Sequence, residues 1–369
     1  MGNKNKNKKK NKAKSSNNLP NVSICTPTFN RRPFFEGLIQ CVKEQDYPHD
    51  KIEWVIVDDG TDKIEDIFER EETKTILADI KINYFYVDTK LDLGKKRNLM
   101  HEKCNYKHDE DIIVYMDDDD YYPPERVSHS VKKLTQNSET LCGGSSELFL
   151  WFNVLNKMYK FGPYGPNHAT AGTFAFKRKL LKDTSYENDA VLAEEKHFLK
   201  NYTVPFVQFD SFKTILVVSH EQNTFDKKKL LSSQNKFVKE SSIEVKQFIH
   251  NKELRTFYES KINELLKDYE PGDVKNKPKV LKEIKRREEE RKQRTQKMQQ
   301  QQDNKLSGIH VSSEGGNAAS KELTIKECKD YMTSKTKECI MLKRELDKIQ
   351  KENAILREQL KNADISRNN

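Results

Sequence analysis

The stretch Ile112-Ile113-Val114-Tyr115-Met116-Asp117-Asp118-Asp119-Asp120 decides how this chain is read. Five apolar residues in a row read as a buried strand. The four carboxylates that follow repel one another, and Asp is a poor strand former. A strand that ends in such a cluster needs something to hold the charge. In extended chain alternate side chains share a face, so Asp117 and Asp119 are expected to point together. Two convergent carboxylates at the carboxyl end of a parallel strand make a hard-oxygen site for Mg²⁺ or Mn²⁺. The plainer alternative is a solvated acidic turn closed by Pro123-Pro124.

Working outward, five more apolar runs have strand character, at 22–26, 54–57, 84–87, 173–176 and 214–218. Helical patterns lie between several of them. Phe35, Leu38, Ile39 and Val42 mark one stripe, with Asn30 as its N-cap and Pro33 in the first turn. Val127, Val131 and Leu134 mark another. Strands alternating with helices predict an α/β domain over 21–230, with a largely parallel sheet and helices on both faces.

Ligand clefts in such sheets lie at the carboxyl ends of the strands. The first strand ends in Thr26-Pro27-Thr28-Phe29-Asn30-Arg31 and the second in Val57-Asp58-Asp59-Gly60-Thr61. Leu93-Gly94-Lys95-Lys96-Arg97-Asn98 opens a predicted helix. These segments gather with the acidic cluster on one edge of the sheet. An acid there can accept a base or ribose hydrogen bond. Lys95, Arg97 and a helix N-terminus can hold a diphosphate. A divalent metal neutralises the same diphosphate as it leaves.

In this order and spacing the four segments resemble the GT-A-fold glycosyltransferases of the family 2 type, over residues 21 to about 225. The resemblance implies a mostly parallel, Rossmann-like sheet. It implies transfer of one sugar per cycle from a nucleotide diphosphate donor, read here as a UDP-sugar, with inversion at the anomeric carbon. The enzyme would be of the hexosyl- or N-acetylhexosaminyltransferase type, with Mn²⁺ or Mg²⁺ as cofactor. Pro27, Thr28 and Asn30 resemble the first nucleotide-binding loop. Asp59 resembles the carboxylate that contacts the base, and Arg97 the donor-site arginine. The 117–119 stretch resembles the Asp-x-Asp motif, with Asp117 and Asp119 as metal ligands and Asp118 facing the ribose. Asp120 matches a further acid without an assigned role. The catalytic base of the family lies in a later acidic pair, here Glu194-Glu195 after Ala171-Gly172-Thr173-Phe174. Glu195 is favoured, although the family usually has Asp there. It would deprotonate the acceptor hydroxyl. His220, after the last apolar run, resembles a late metal-ligating His. His168, in a Gly- and Pro-rich stretch, is a candidate for the acceptor side, and the acceptor pocket is expected within 142–168.

Composition sets the surroundings. The chain has 369 residues, 67 Lys+Arg against 58 Asp+Glu, and a net charge of +9. Seven lysines and no acid fall in the first twenty residues, so the body is close to neutral. That argues against a general nucleic-acid surface, and a disordered tail is expected over 1–20. No apolar run approaches the roughly 20 residues of a membrane helix. No signal-peptide pattern stands at the start, and the six scattered cysteines lack metal-ligand spacing. A soluble cytoplasmic protein is expected, in a host cytoplasm or virion should the Lys/Asn bias reflect a viral source. Residues 231–302 read as a helical extension and 303–324 as a linker.

Residues 325–362 read as a coiled coil. Ile325, Met332, Cys339, Leu346, Asn353 and Leu360 fall seven apart, and Cys328, Lys335, Leu342, Ile349 and Leu356 fall three residues after the first five. A lone Asn at a core position fixes register and favours two strands, so a homodimer is expected. The acceptor, whether glycan, protein or lipid, is not named by the sequence. Two competing readings are a nucleotidyltransferase, which would release pyrophosphate, and a non-catalytic GT-A-like scaffold dimerised by its coiled coil.

Overall fold

The computed structural model describes residues 19–192, 195–223, 227, 231, 237–306, 310–311, 321–322 and 325–367. A seven-stranded sheet forms the centre, in the order β3-β2-β1-β4-β8-β5-β9. Its strands are β1 (Val22–Thr28), β2 (Ile52–Asp58), β3 (Lys81–Tyr86), β4 (Ile112–Tyr115), β5 (Cys142–Gly144), β8 (Ala175–Lys177) and β9 (Phe206–Gln208). The first four neighbours run parallel, and β8 is antiparallel to both β4 and β5. Each of the six apolar runs of the sequence overlaps a strand, although 173–174 and 214–215 lie just before β8 and β10.

The two-residue period of the strands sorts their side chains into two cores. Val22, Ile24, Trp54, Ile56, Ile112 and Val114 face one side, with Phe35, Leu38 and Val42 of helix α1 (Phe35–Lys43). Cys25, Val55, Val57, Ile113 and Tyr115 face the other, with Met100 and Cys104 under helix α2 (Leu93–Lys103). Both faces are therefore covered, as the unbroken apolar runs require.

A second sheet has the order β10-β6-β7-β11, formed by β6 (Leu148–Phe152), β7 (Lys157–Phe161), β10 (Leu216–Ser219) and β11 (Val238–Ser241). Its β6–β7 hairpin lies where acceptor loops were expected over 142–168. The run Leu148-Phe149-Leu150-Trp151-Phe152 is wholly buried in the first core, and that burial makes it a strand. The domain end expected near 230 is also too early. Phe248, Leu254, Phe257, Tyr258 and Ile262 fill the same core, and the compact unit runs to Ile284.

Residues 1–18 of the Lys-rich tail lie outside the described residues. Leu19 and Pro20 belong to the body instead: Leu19 packs on the core, and Tyr47 Oη donates to Pro20 O at 2.6 Å. The second unit begins at Lys285. Helix α4 (Pro278–Leu306) carries residues 303–306 of the expected linker, and His310–Val311 pairs with Lys321–Glu322. Helix α5 (Ile325–Arg367) is one run of 43 residues. Its heptad positions Met332, Leu342, Leu346, Ile349 and Leu356 are 48–67% exposed. Among the described residues no helix is long and apolar enough to cross a membrane. All six cysteines are free thiols.

Helix α3 (Arg126–Thr135) follows the acidic cluster. Its Arg126 is fully buried and clamps the carbonyls of Tyr115 (3.0 Å) and Phe174 (2.8 Å). Beside it, His101 stacks on Tyr115 and its Nε2 lies 2.6 Å from the Tyr115 hydroxyl. Burial, with the Arg97 and Arg178 charges, pushes His101 down to about 3. The unfolded chain takes up that proton near pH 6.5 and the folded chain does not. The unfolded state therefore binds more protons between about pH 3 and 6.5, and stability falls on acidification. At pH 5 this linkage is worth about 2 kcal/mol. Urea unfolding of His101→Gln should show a pH 7 to pH 5 loss smaller by about that amount than wild type. An unchanged loss would contradict the assignment.

Candidate functional site

The carboxyl ends of β1 and β4, the 90–93 segment and the start of α2 line one cleft, and Asp59 at the end of β2 reaches it through Lys96. Thr28, Lys90, Lys96, Arg97 and the 117–119 carboxylates line it, with Lys277 from far down the chain. Pro27 also lines it. Asn30 does not, and its expected role as helix cap fails. Its φ is +53°, a conformation that Asn tolerates better than most residues. Its side chain accepts from Asp62 N (2.9 Å) and donates to Pro271 O (2.9 Å). Asn30 thus ties three segments together beneath the cleft. The helix begins instead with a 3₁₀ turn, Arg32–Phe34, that carries Pro33.

The acidic cluster does not continue the strand. β4 stops at Tyr115, and Asp118 and Asp119 lie in a turn, so the alternation that would have paired Asp117 with Asp119 is lost. The four carboxylates disperse to separate partners. Asp117 faces Arg97, with Oδ1 3.6 Å from Nη2. Asp118 faces Arg31 at 3.8 Å. Asp119 Oδ2 meets His220 Nε2 at 3.1 Å, with Asn223 Nδ2 at 3.4 Å. Asp120 turns away and accepts the Val218 N–H at 3.0 Å. The fourth acid therefore stitches the turn to β10.

Burial pushes His220 down to about 4, against the pull of Asp119, so its imidazole is neutral at pH 7. Burial also works against charge on Asp119, but the His220 hydrogen bond and Arg31 outweigh it and hold the carboxyl well below the usual range. Asp118 moves up, through burial and the neighbouring Asp119 charge. Among the described residues no three His, Cys, Asp or Glu side chains form a ready metal cage. Asp119 and His220, a carboxylate oxygen beside a neutral imidazole nitrogen, are the pair fitted to a divalent ion. Asp117 lines the same cleft and faces Arg97.

Helix α2 explains its own motif residue by residue. A Cβ on Gly94 would lie 2.0 Å from Glu187 O, so only glycine lets the 187–190 segment pass. Lys96 pairs with Asp59 and donates to Thr28 O at 2.7 Å. Arg97 lies under Asp117 with its guanidinium 4.4 Å from the Tyr115 ring centroid. Asn98 clasps Tyr186, donating to its carbonyl and accepting from its N–H, each at 2.9 Å. Lys95 is exposed, whereas Lys96 lines the cleft. Lys96 and Arg97 lie on the arc of α2 that also buries Met100. Asp59 is buried, with Leu91 N donating to its Oδ2 at 2.7 Å.

The predicted base splits. Glu194 lies outside the described residues. Glu195 Oε1 accepts the Ala171 N–H at 3.2 Å. The next residue, Gly172, is where a Cβ would meet Asp117 Oδ2 at 2.8 Å. One short turn, Ala171–Thr173, therefore separates Glu195 from the acidic cluster. His168 stacks loosely with Tyr164 (5.2 Å) and Tyr202 (5.5 Å) just before that turn. Sequence reasoning missed Arg31, Lys90, Tyr202 and Lys277. Arg31 stood in a quoted motif, whereas Lys277 carries no local signal at all.

Residues 23–187 match the family model described as glycosyl transferase family 2. Over that span the chain is similar to family 2 glycosyltransferases. The curated relative TuaG of Bacillus subtilis (strain 168), a putative teichuronic acid biosynthesis glycosyltransferase, is 27% identical over 120 residues. That match covers 32% of this chain and 44% of TuaG, so the chain spans less than half of that relative. Among solved structures, S. aureus TarS 1–349 with UDP-GlcNAc has a TM-score of 0.40 at 19% identity, covering 55% of this chain and 59% of TarS. The mannosyltransferase PcManGT from Pyrobaculum calidifontis, with GDP-Man and Mn²⁺, has a TM-score of 0.44 at 17% identity, covering 56% and 59%. The family 2 match includes the acidic cluster and the α2 motif. Glu195, His220 and Lys277 lie beyond it.

Proposed function

We propose that the chain transfers a sugar from a nucleoside diphosphate donor, a UDP-sugar in the first instance, to an acceptor hydroxyl, with inversion. What carries this reading is that the end of β1 and the start of α2 share one cationic cleft with the acidic turn after β4, within the span similar to family 2 glycosyltransferases. The basic side chains of the cleft suit a diphosphate, and its acids suit a divalent ion.

In this reading Asp119 and His220 hold Mn²⁺ or Mg²⁺. The ion, when bound, stabilises the departing diphosphate as a Lewis acid. Arg97 and Lys96 add fixed positive charge to the same leaving group. Asp118 faces the ribose side. Glu195 takes the proton of the acceptor hydroxyl as that oxygen attacks the anomeric carbon. The Ala171 N–H orients its carboxylate without consuming both oxygens. Tyr164, His168 and Tyr202 flank the side from which an acceptor reaches Glu195.

Helix α5 serves self-association in this account. Its apolar seam is exposed, its period is seven, and Asn353 sits at a core position. The occupant is a second copy in parallel register.

Two outcomes follow. Replacing Glu195→Gln should lower transfer by at least about 10²-fold while UDP affinity stays within twofold. The released product should be a nucleoside diphosphate and not pyrophosphate. Loss of UDP binding in that variant, or unchanged transfer, would overturn the base assignment. Light scattering after gel filtration should give a dimer for the full chain and a monomer for the double change Leu346→Lys, Ile349→Lys. A monomeric wild type would end the seam's assignment.

A further inference from the structure

We propose that residues 269–277, beyond the family 2 span, form a strap that completes the donor cleft, and that Lys277 on this strap holds the donor diphosphate. The inference rests on the donor reading above and adds a residue to it.

The strap is fastened at both sides of the cleft. Tyr269 Oη donates to Asp62 Oδ2 at 2.7 Å, next to the loop after β2. Asn30 and Arg31, in the loop after β1, donate to Pro271 O (2.9 Å) and Gly272 O (3.3 Å). Gln222, two residues after His220, donates to Tyr269 O at 2.6 Å, and its own carbonyl accepts from Arg31 at 2.8 Å. At Gly272 a Cβ would lie 2.0 Å from Gln222 Oε1 and 3.1 Å from Asn30 O, so the strap closes this tightly only because that residue is glycine. The chain then turns through Val274–Asn276, and Pro278 starts α4. Lys277 is thereby set at a fixed point, its N–H on Val274 O and its carbonyl on Leu281 N.

That point is inside the cleft. Lys277 is only 8% exposed and lines the same walls as the 117–119 carboxylates. Its Nζ lies 5.8 Å from the Phe29 ring centroid, and Lys90 (2.9 Å) and Lys96 (6.0 Å) gather on the same ring. Three ammonium groups so close repel one another. A diphosphate offers several anionic oxygens to such a group, and a lysine serves it as a compact point charge. The nucleoside part of a donor makes no such demand.

The full-length chain with Mn²⁺ should be titrated calorimetrically with UDP, UMP and pyrophosphate. Lys277→Ala and Lys277→Met should lose at least tenfold affinity for UDP and pyrophosphate and less than threefold for UMP. Lys277→Arg should recover most of the loss. Lys275→Ala removes the same charge from an exposed point of the same strap and should bind as wild type. Thermal unfolding of each variant checks that it is folded. Wild-type affinity for UDP in Lys277→Ala would overturn the inference, as would an equal loss for UDP and UMP. If wild type binds neither UDP nor any of GDP, ADP and CDP, the donor reading itself falls, and the strap's role falls with it.

Discussion

Asp119 stands at the end of the first sheet's central strand and His220 at the end of β10 in the second sheet. Their 3.1 Å contact exists only if the two sheets are held together at that corner. The corner is stitched in sequence order. Asp120 accepts the Val218 N–H, and Tyr121 exchanges backbone hydrogen bonds with Leu216 at 3.1 and 2.9 Å. As the acidic turn advances from 119 to 121, its partners step back from 220 to 216, as antiparallel pairing dictates. The second sheet thus acts as the mount for His220, the imidazole proposed to hold the metal. Its own burial in the common core, through β6 and the 248–266 helices, keeps that mount fixed.

The same turn is braced from below. Arg126 holds the carbonyls on either side of the β4 end, and Tyr122 Oη lies 2.5 Å from the Asp117 N–H. Each acid therefore leaves the strand end in a direction set by a different partner: Arg97, Arg31, His220 or the β10 backbone. The four neighbouring acids have separate principal partners, apart from the guanidinium of Arg31 between Asp118 and Asp119, and burial with the Asp119 charge still pushes Asp118 and Asp120 up. Partition of this kind gives one cleft both a basic wall and an acidic corner.

How much of this was legible follows from where each signal lies. Strands buried on both faces are written as unbroken apolar runs, and all six could be read. The α2 motif was also readable as a unit, because Gly94, Lys96, Arg97 and Asn98 sit within five residues, although their partners Glu187, Thr28, Asp117 and Tyr186 lie elsewhere in the chain. The split between Asp117 and Asp119 was not, since strand alternation holds only while the backbone stays extended, and it bends at Asp118. Asn30 looked like a cap because its position before a helix is the usual one; its actual partners, Asp62 and Pro271, are 32 and 241 residues away. Lys277 was invisible for the same reason. Its place in the cleft is fixed by long-range hydrogen bonds, and nothing in a lysine-rich segment distinguishes it from Lys275 or Lys279. The β6–β7 hairpin was legible in principle, for Leu148-Phe149-Leu150-Trp151-Phe152 is as apolar as any strand here.

The central claim is that the metal corner is built from Asp119 and His220 across two sheets, with Asp117 outside it. Electron paramagnetic resonance of Mn²⁺ titrated into the full chain with UDP tests it most directly. One bound Mn²⁺ per chain is predicted for wild type and for Asp117→Asn, with at least a tenfold loss of Mn²⁺ affinity in both Asp119→Asn and His220→Ala. Wild-type Mn²⁺ binding in His220→Ala together with its loss in Asp117→Asn would contradict the account.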